Sequence, residues 1–253
     1  MSRFAWKPIV LSALLMIAIA PHRASAANPK PLAAEDDTEE SPGLVVSEDF
    51  NHDGIADIAR TSAPAGDDSA PSVLIVMLGQ RDGTLLRVAT MPPSVGIDPK
   101  SIAVGDFNHD GNPDVIVGDA DGSLIVLLGD GKGDLIPTPN GIRLASVASI
   151  AVGDFNKDGI LDVVVSDPHS NTATVLLGTG TGTFRSAWSF TLPMQGAVFH
   201  LSVADFNGDG IPDLVVTSDD RDSFEVMLGN GNGTFSRAPE LSHLKDPNAH
   251  CVT

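Results

Sequence analysis

The sequence predicts an all-β fold built from four repeated units, and three observations support this prediction. The motif Asp-Phe-Asn-x-Asp-Gly-x-x-Asp occurs four times, beginning at Asp49, Asp106, Asp154 and Asp205. Each copy lies between two short runs of apolar and β-branched residues, as strands flanking a loop do. Beyond residue 26, no stretch combines helical apolar spacing with helix caps. Units of about 50 residues indicate a repeat array.

The composition fits one or two packed domains and limits the partners. The chain has 253 residues, 42% of them hydrophobic, and 33 acidic against 15 basic residues, for a net charge of −18. Because so negative a surface repels phosphate backbones, we expect no nucleic-acid partner. The single cysteine, Cys251, excludes an intramolecular disulfide, and no Cys/His set has the spacing of a zinc site.

The first 26 residues have the pattern of a secretory signal peptide. Arg3 and Lys7 precede an apolar run over residues 9–20, and the small residues 24–26 follow as a cleavage site. This run is shorter than the roughly 20 residues that span a bilayer, and no later run is long enough. We therefore expect export, cleavage after about Ala26, no membrane span in the mature chain, and a secreted, periplasmic or cell-surface location.

The remaining chain divides into a linker and repeated blades. Residues 27–43, rich in proline and acidic side chains, are expected to be a linker. Each repeat reads as strand, acidic loop, strand, turn, strand, glycine turn and a less regular fourth strand. The expected bounds are about 44–99, 100–147, 148–199 and 200–245, with a partial fifth-repeat strand at 246–253.

Continuous apolar runs indicate how the units pack. Residues 115–117, 163–165 and 214–216 are uninterrupted apolar triplets, whereas a strand with one solvated face alternates. These strands are therefore expected to be buried on both faces. Small four-stranded antiparallel sheets stacked face to face are the blades of a β-propeller. A parallel β-helix with calcium-binding glycine repeats is disfavoured, because its nonapeptide period is far shorter.

The four acidic loops carry oxygen donors at a fixed spacing. Counting the first Asp as position 1, side-chain oxygens recur at positions 1, 3, 5 and 9, and position 6 is glycine. Alternate positions of a tight loop converge, and the carbonyl of position 7 can join them. Oxygen donors without His or Cys suit Ca²⁺, while Mg²⁺ prefers a tighter octahedral site. Metal-free acidic turns are the alternative, but like charges so close would destabilise the fold.

The same start occurs in the EF-hand, which requires a bidentate Glu at position 12 and flanking helices. Position 12 is occupied by Arg60, Val117, Val165 and Val216. β-branched residues follow in place of helical patterns. The sequence therefore predicts loops between strands.

The acidic loop, its following apolar strand and the sequence Leu-Gly-x-Gly-x-Gly-Thr-Phe together resemble the FG-GAP or VCBS repeat, the calcium-loop blade related to the integrin α-subunit propeller. The resemblance covers about residues 44–253 and implies up to four Ca²⁺ ions. It implies side-chain ligands at Asp49, Asn51, Asp53, Asp57, Asp106, Asn108, Asp110, Asp114, Asp154, Asn156, Asp158, Asp162, Asp205, Asn207, Asp209 and Asp213. It implies backbone oxygen from Ile55, Asn112, Ile160 and Ile211.

The two ends of the repeat region do not decide whether the blades close into a ring. The family often closes rings of seven blades, and this chain has four repeats. Residues 246–253 align with 98–105, which lead into the loop at Asp106. A truncated or partial array and a closed four-blade ring both fit this pattern, and Arg60, placed where the other units have Val, is typical of an end blade. An open array would expose blade faces, so we expect it to self-associate or to misfold.

Three classes of function fit the sequence. The first, which we favour, is an exported binding or adhesion module whose protein or glycan partner meets loops on one propeller face, with calcium stabilising the blades. The second is a carbohydrate-binding or carbohydrate-active propeller, which the single Trp188 after residue 26 and the lack of Tyr make less suitable. The third is a structural segment of a larger surface protein. No nucleophile and base stand out, so we expect no enzyme.

Other residues receive simpler interpretations. The glycines at 178, 180 and 182 imitate a phosphate loop but no helix follows them, which predicts a turn. His52 and His109, at loop position 4, are expected to point outward. The phenylalanines at position 2 are expected to be core anchors, namely Phe50, Phe107, Phe155 and Phe206.

Overall fold

The chain folds into strands joined by tight turns. A computed structural model describes residues 41–63, 70–88, 94–139, 141–192, 199–218 and 223–238. The chain divides into the units Met1–Lys30 and Pro31–Thr253, and all described residues lie in the second. Within those ranges every regular element is a strand. The signal peptide, most of the linker and the segment 246–253 lie outside the described residues.

The strands form four antiparallel sheets, each paired in chain order, which we call blades 1 to 4. Blade 1 contains β1 (Ser41–Glu48), β2 (Asp57–Ala63), β3 (Val73–Gly79) and β4 (Leu85–Arg87). Blade 2 contains β5 (Pro99–Gly105), β6 (Asp114–Asp119), β7 (Ser123–Gly129) and β8 (Leu135–Pro137), with β9 (Ile142–Arg143) paired to β7. Blade 3 contains β10 (Ser149–Gly153), β11 (Asp162–Asp167), β12 (Thr172–Gly178) and β13 (Phe184–Thr191). Blade 4 contains β14 (Phe199–Ala204), β15 (Asp213–Ser218), β16 (Ser223–Gly229) and β17 (Phe235–Arg237).

The blades stand side by side along their first strands. Strand β1 contacts β5, β5 contacts β10, and β10 contacts β14. Among the described residues, no contact of similar extent joins β14 back to β1. The prediction of an all-β propeller-like array is confirmed, and the array is open.

The core lies between the blades, as the continuous apolar runs predicted. Val115 and Val117 pack with blade 1, whereas Ile116 between them packs with blade 3, because successive side chains of a strand point to opposite faces. All three side chains are fully buried. Each such burial contributes about 1.5–3 kcal/mol. Strand β6 therefore joins three blades at once.

Candidate metal centres

Each acidic loop connects the first and second strands of a blade and contains two residues in the left-handed backbone region. Position 6 is glycine in every copy, with φ between 78° and 87°, a conformation that glycine adopts without steric cost. Position 4 is also left-handed, at φ 59° for His52, 61° for His109, 62° for Lys157 and 76° for Gly208. These two residues wind the chain tightly enough for alternate side chains to converge.

The side chains of positions 1, 3 and 5 converge inside the loop. In blade 2, the amide N–H of Asp110 donates to Asp106 Oδ1 at 3.1 Å and to Asn108 Oδ1 at 3.0 Å. Asn108 Nδ2 donates to Asp110 Oδ2 at 2.8 Å. The same three bonds recur in the other three loops. Oxygen atoms from two side chains therefore surround a single amide, beside the carboxylate of position 5.

The aspartate at position 9 has a different place in the structure. Asp114 is 0% exposed, and its Oδ2 accepts hydrogen bonds from the amides of Phe107 at 2.8 Å and Asn108 at 3.2 Å. Its Oδ1 accepts from the amide of Gly129, at the end of β7, at 2.8 Å. We call this arrangement the carboxylate brace, and its equivalents are Asp57, Asp162 and Asp213. The brace ties each acidic loop to the third strand of its own blade.

The glycine that ends each third strand has no room for a side chain. A Cβ on Gly129 would lie 2.2 Å from the carbonyl oxygen of Pro113 at loop position 8. The corresponding distance is 2.3 Å for Gly79, 2.2 Å for Gly178 and 2.3 Å for Gly229. Because the glycine amide must reach the braced carboxylate, the two backbones lie in direct contact. This explains why every third strand ends in glycine.

Burial and neighbouring negative charge raise the pKa of the braced carboxylates of Asp114 and Asp162. Burial raises the pKa of Asp114 to about 6, against the lowering effect of its backbone hydrogen bonds, and the Asp110 charge adds to the rise. Burial likewise raises the pKa of Asp162 to about 6, with a further contribution from Asp158. The carboxylates of positions 5 and 9 are thus near enough to repel each other. A divalent cation beside them would relieve that repulsion.

These pKa values predict a pH effect on the metal-free chain. A pKa raised above the unfolded value of 3.8 adds stability that is complete below 3.8 and lost as the pH rises through about 6. We therefore expect the melting temperature of metal-free protein to rise as the pH falls from about 7 to about 5. The Asp162→Asn variant should show a smaller rise. A melting temperature that falls as the pH is lowered over this interval would contradict the raised pKa values of Asp114 and Asp162.

The donor set fits a hard divalent cation. In blade 2 it contains the carboxylates of Asp106 and Asp110, the amide oxygen of Asn108 and the nearby Asp114, and an ionised carboxylate offers about four lone-pair sites. Three of the Asp114 sites are used by amides. The N–H of Asn112 at position 7 donates to Asp110 Oδ1 at 2.8 Å. Within the described ranges, no group of three or more His, Cys, Asp or Glu side chains is already arranged around a metal position. The ligand roles of positions 1, 3, 5, 7 and 9 remain predictions.

Sequence reasoning missed the brace. It treated the aspartate of position 9 only as a ligand and the final glycine of the third strand only as part of a turn. The available signal was their joint recurrence, since Asp begins every second strand and Gly ends every third strand. Three of the four phenylalanine anchors are confirmed, at 2% exposure or less, whereas Phe206 is 49% exposed.

Two smaller expectations are also resolved. His52 and His109 are both exposed, as expected, and His52 Nε2 also lies 3.0 Å from Asn112 Oδ1 in the next blade. Gly178 ends β12, and Gly180 and Gly182 lie in the connection to β13, which confirms a turn. In the part of the chain that is described, no helix has the length and apolarity to cross a membrane.

Comparison with protein families bears directly on these loops. A family model described as FG-GAP-like repeat matches residues 49–117, 106–165, 154–216 and 205–253. The chain is an FG-GAP-like repeat protein. Each match begins at the first aspartate of an acidic loop of this FG-GAP-like chain. FG-GAP repeats are those of a propeller-type binding module, in agreement with the observed blades. No curated protein sequence matches the FG-GAP-like chain.

Solved structures resemble the FG-GAP-like chain in fold. Sqt1 from Chaetomium thermophilum matches with a TM-score of 0.53 and 14% identity, over 78% of this chain and 45% of that one. BBS1N, solved in complex with ARL6DN, matches with a TM-score of 0.49 and 17% identity, over 87% of this chain and 57% of that one. The FG-GAP-like chain thus spans about half the length of these proteins. At such identities the likeness to Sqt1 concerns the fold alone.

Proposed function

We propose that this chain is an exported calcium-binding repeat protein that serves as a binding or adhesion module, with calcium stabilising its blades. The observation that supports the proposal is the convergence of oxygen side chains from positions 1, 3 and 5 in all four loops. Export is inferred from the signal-peptide pattern of residues 1–26.

Calcium would act by neutralising the negative charge of the carboxylates in the acidic loops, which are already tied to their blades by the carboxylate brace. In blade 2 the ion would be held by Asp106, Asn108 and Asp110, with the Asn112 carbonyl and Asp114 as further donors. Bound there, Ca²⁺ supplies positive charge to carboxylates that otherwise repel each other. With a dissociation constant of about 0.1–1 mM and roughly 1 mM free ion, each site would add about 0.4–1.4 kcal/mol.

The partner surface would lie on the side of the array that carries the loops. The brace brings each acidic loop next to the glycine turn of its blade, through bonds such as Gly178 N–H to Asp162 Oδ1 at 2.9 Å. The acidic loops and the turns after the third strands therefore share one side. Loops positioned by a rigid scaffold are the usual place for binding residues, so a protein or glycan partner would meet this side.

Calorimetric titration of the purified chain with Ca²⁺ tests the proposal. We expect up to four sites with dissociation constants of about 0.1–1 mM. A variant with the four position-5 aspartates replaced should lose this binding, because each change removes a converging carboxylate but keeps its shape. These changes are Asp53→Asn, Asp110→Asn, Asp158→Asn and Asp209→Asn.

The matched control makes the same change in charge outside the acidic loops. It replaces exposed aspartates in other turns, namely Asp82→Asn, Asp98→Asn, Asp121→Asn and Asp130→Asn, and should titrate like the unchanged chain. Equal Ca²⁺ binding by the position-5 variant and the control variant would refute the assignment of the acidic loops as calcium sites. If calcium binds but a chelator leaves the melting temperature unchanged, the ions do not stabilise the blades.

A further inference from the structure

Successive blades meet through one recurring contact, which we call the loop–turn joint. The amide of Gly182, in the glycine turn of blade 3, donates to the carbonyl oxygen of Phe107 in the acidic loop of blade 2 at 2.9 Å. Gly233 of blade 4 donates in the same way to Phe155 of blade 3 at 2.9 Å. The acidic loops of blades 2 and 3 are thus each covered by the glycine turn of the following blade.

The joint pairs a large side chain on the loop with a glycine on the turn. A Cβ added to Gly131 would lie 2.4 Å from Oδ1 of Asn112 in its own blade and 3.3 Å from Cδ2 of His52, at position 4 of the preceding loop. A Cβ added to Gly231 would lie 3.2 Å from Cδ of Lys157, again at position 4. In these two joints the middle glycine of the turn leaves space for the position-4 side chain of the blade before it, whereas a Cβ on Gly180 of blade 3 would meet Ile160 of its own blade.

Among the described residues, which end at 238, nothing covers the loop half of this joint on blade 4. Phe206, at loop position 2, is 49% exposed, whereas its equivalent Phe107 is 1% exposed. Position 4 of this loop is Gly208, and no atom lies within 4 Å of the place where its Cβ would be. The exposed carboxylates of Asp205 and Asp209 flank that space.

At the other end of the array, the turn after the third strand of blade 1 is the turn half of a joint. It carries a large residue where the other turns carry glycine. Arg81, which is exposed, occupies the position of the middle glycines of the other turns. A Cβ on Gly83 would meet nothing within 4 Å, while a Cβ on its equivalent Gly182 would lie 2.7 Å from Leu128 of the blade before. The Gly83 amide donates to Gln80 within its own turn at 2.9 Å. A joint made by this turn would therefore depend on the charge and size of Arg81 and on the fit between the two surfaces.

We propose that the blade-4 end of one copy of this chain binds the blade-1 end of a second copy. At two joints within the chain a large loop residue meets a small turn residue, and between the two ends the small Gly208 would meet the large Arg81. The charges also match, because a guanidinium would reach a loop with two exposed carboxylates and no basic residue. Such a contact is heterologous and closes a ring where the rotation permits. Two copies would form eight blades, within the range of known propellers.

Size and charge substitutions test this contact. In Gly208→Lys, an ammonium would face Arg81 across the interface, and we expect the self-association constant to fall about tenfold or more. Arg81→Gly should also weaken association, by removing the guanidinium. The double variant, Gly208→Lys with Arg81→Gly, reproduces the Lys157–Gly231 pair of blades 3 and 4 and should recover association. Lysine is compatible with this backbone, since Lys157 has φ 62° at the same loop position.

Sedimentation equilibrium of the full chain in chelator, up to about 0.1 mM protein, gives the association constants without any dependence on calcium. The control His109→Lys adds the same charge at position 4 of an internal loop and should leave association unchanged. Circular dichroism and the melting temperature confirm that each variant is folded. Dimers or longer assemblies that weaken in both single variants and recover in the double variant support the contact. A monomer at all concentrations, or association equal in all variants, overturns it.

Discussion

Replacing Asp114 by alanine is expected to lower the free energy of unfolding by about 3–5 kcal/mol in the absence of metal. The change leaves the amides of Phe107, Asn108 and Gly129 without their acceptor inside a fully buried site. It also separates the acidic loop of blade 2 from the end of β7. Urea denaturation in the presence of a chelator measures the effect.

Asp110→Ala is the control, because it removes a carboxylate from the same loop at an exposed position. In chelator we expect a loss of only about 1 kcal/mol, because the two hydrogen bonds that Asp110 accepts, from the Asn112 amide and from Asn108 Nδ2, lie in an exposed loop where water can replace them. Asp114→Asn, which keeps one acceptor atom, should lie between the two alanine variants. Equal unfolding midpoints for Asp114→Ala and Asp110→Ala would mean that position 9 acts only as a metal ligand.

Replacing Gly178 by alanine is expected to cost about 3 kcal/mol or more. The new Cβ would lie 2.2 Å from the carbonyl oxygen of Leu161, and this backbone atom precedes the braced Asp162. Relieving the overlap means moving β12 away from the loop, which breaks the bond from Gly178 to Asp162. The same denaturation measurement reports the loss.

Gly180→Ala, two residues further along the turn, is the matched control. Its Cβ would lie 3.4 Å from the nearest atom, Cδ1 of Ile160, so space is adequate. The cost would come from its φ of +73° and amount to about 1 kcal/mol. If the two alanine variants are equally stable, close packing does not explain the glycine at the end of the third strand.

The sequence predicted the blades because their strands are short, apolar and interrupted by loops with a strict residue pattern. Burial on both faces of β6 followed directly from the uninterrupted triplet 115–117. The convergence of positions 1, 3 and 5 followed from the spacing of oxygen donors. These features depend on neighbours within a few residues, so a linear pattern contains them.

Features that depend on distant residues could not be predicted in this way. The brace joins Asp114 to Gly129, and nothing in the spacing of a single loop indicates that the position-9 oxygens face backbone amides. Phe206 has the same motif context as Phe107, yet its exposure depends on whether a following blade covers it. The contact of His52 with Asn112 likewise requires knowledge of which blades are adjacent.

The brace and the loop–turn joint have different consequences for folding. The brace links residues close in sequence, so each blade can form its hairpins and loop early, at a small cost in loop-closure entropy. We expect the joint to form later, once the next blade has been synthesised and has docked. Damage to one blade should therefore be transmitted to its immediate neighbours and little further, as in other linear repeat arrays. Hydrogen exchange would then reveal separately opening segments along the chain in place of a single global transition.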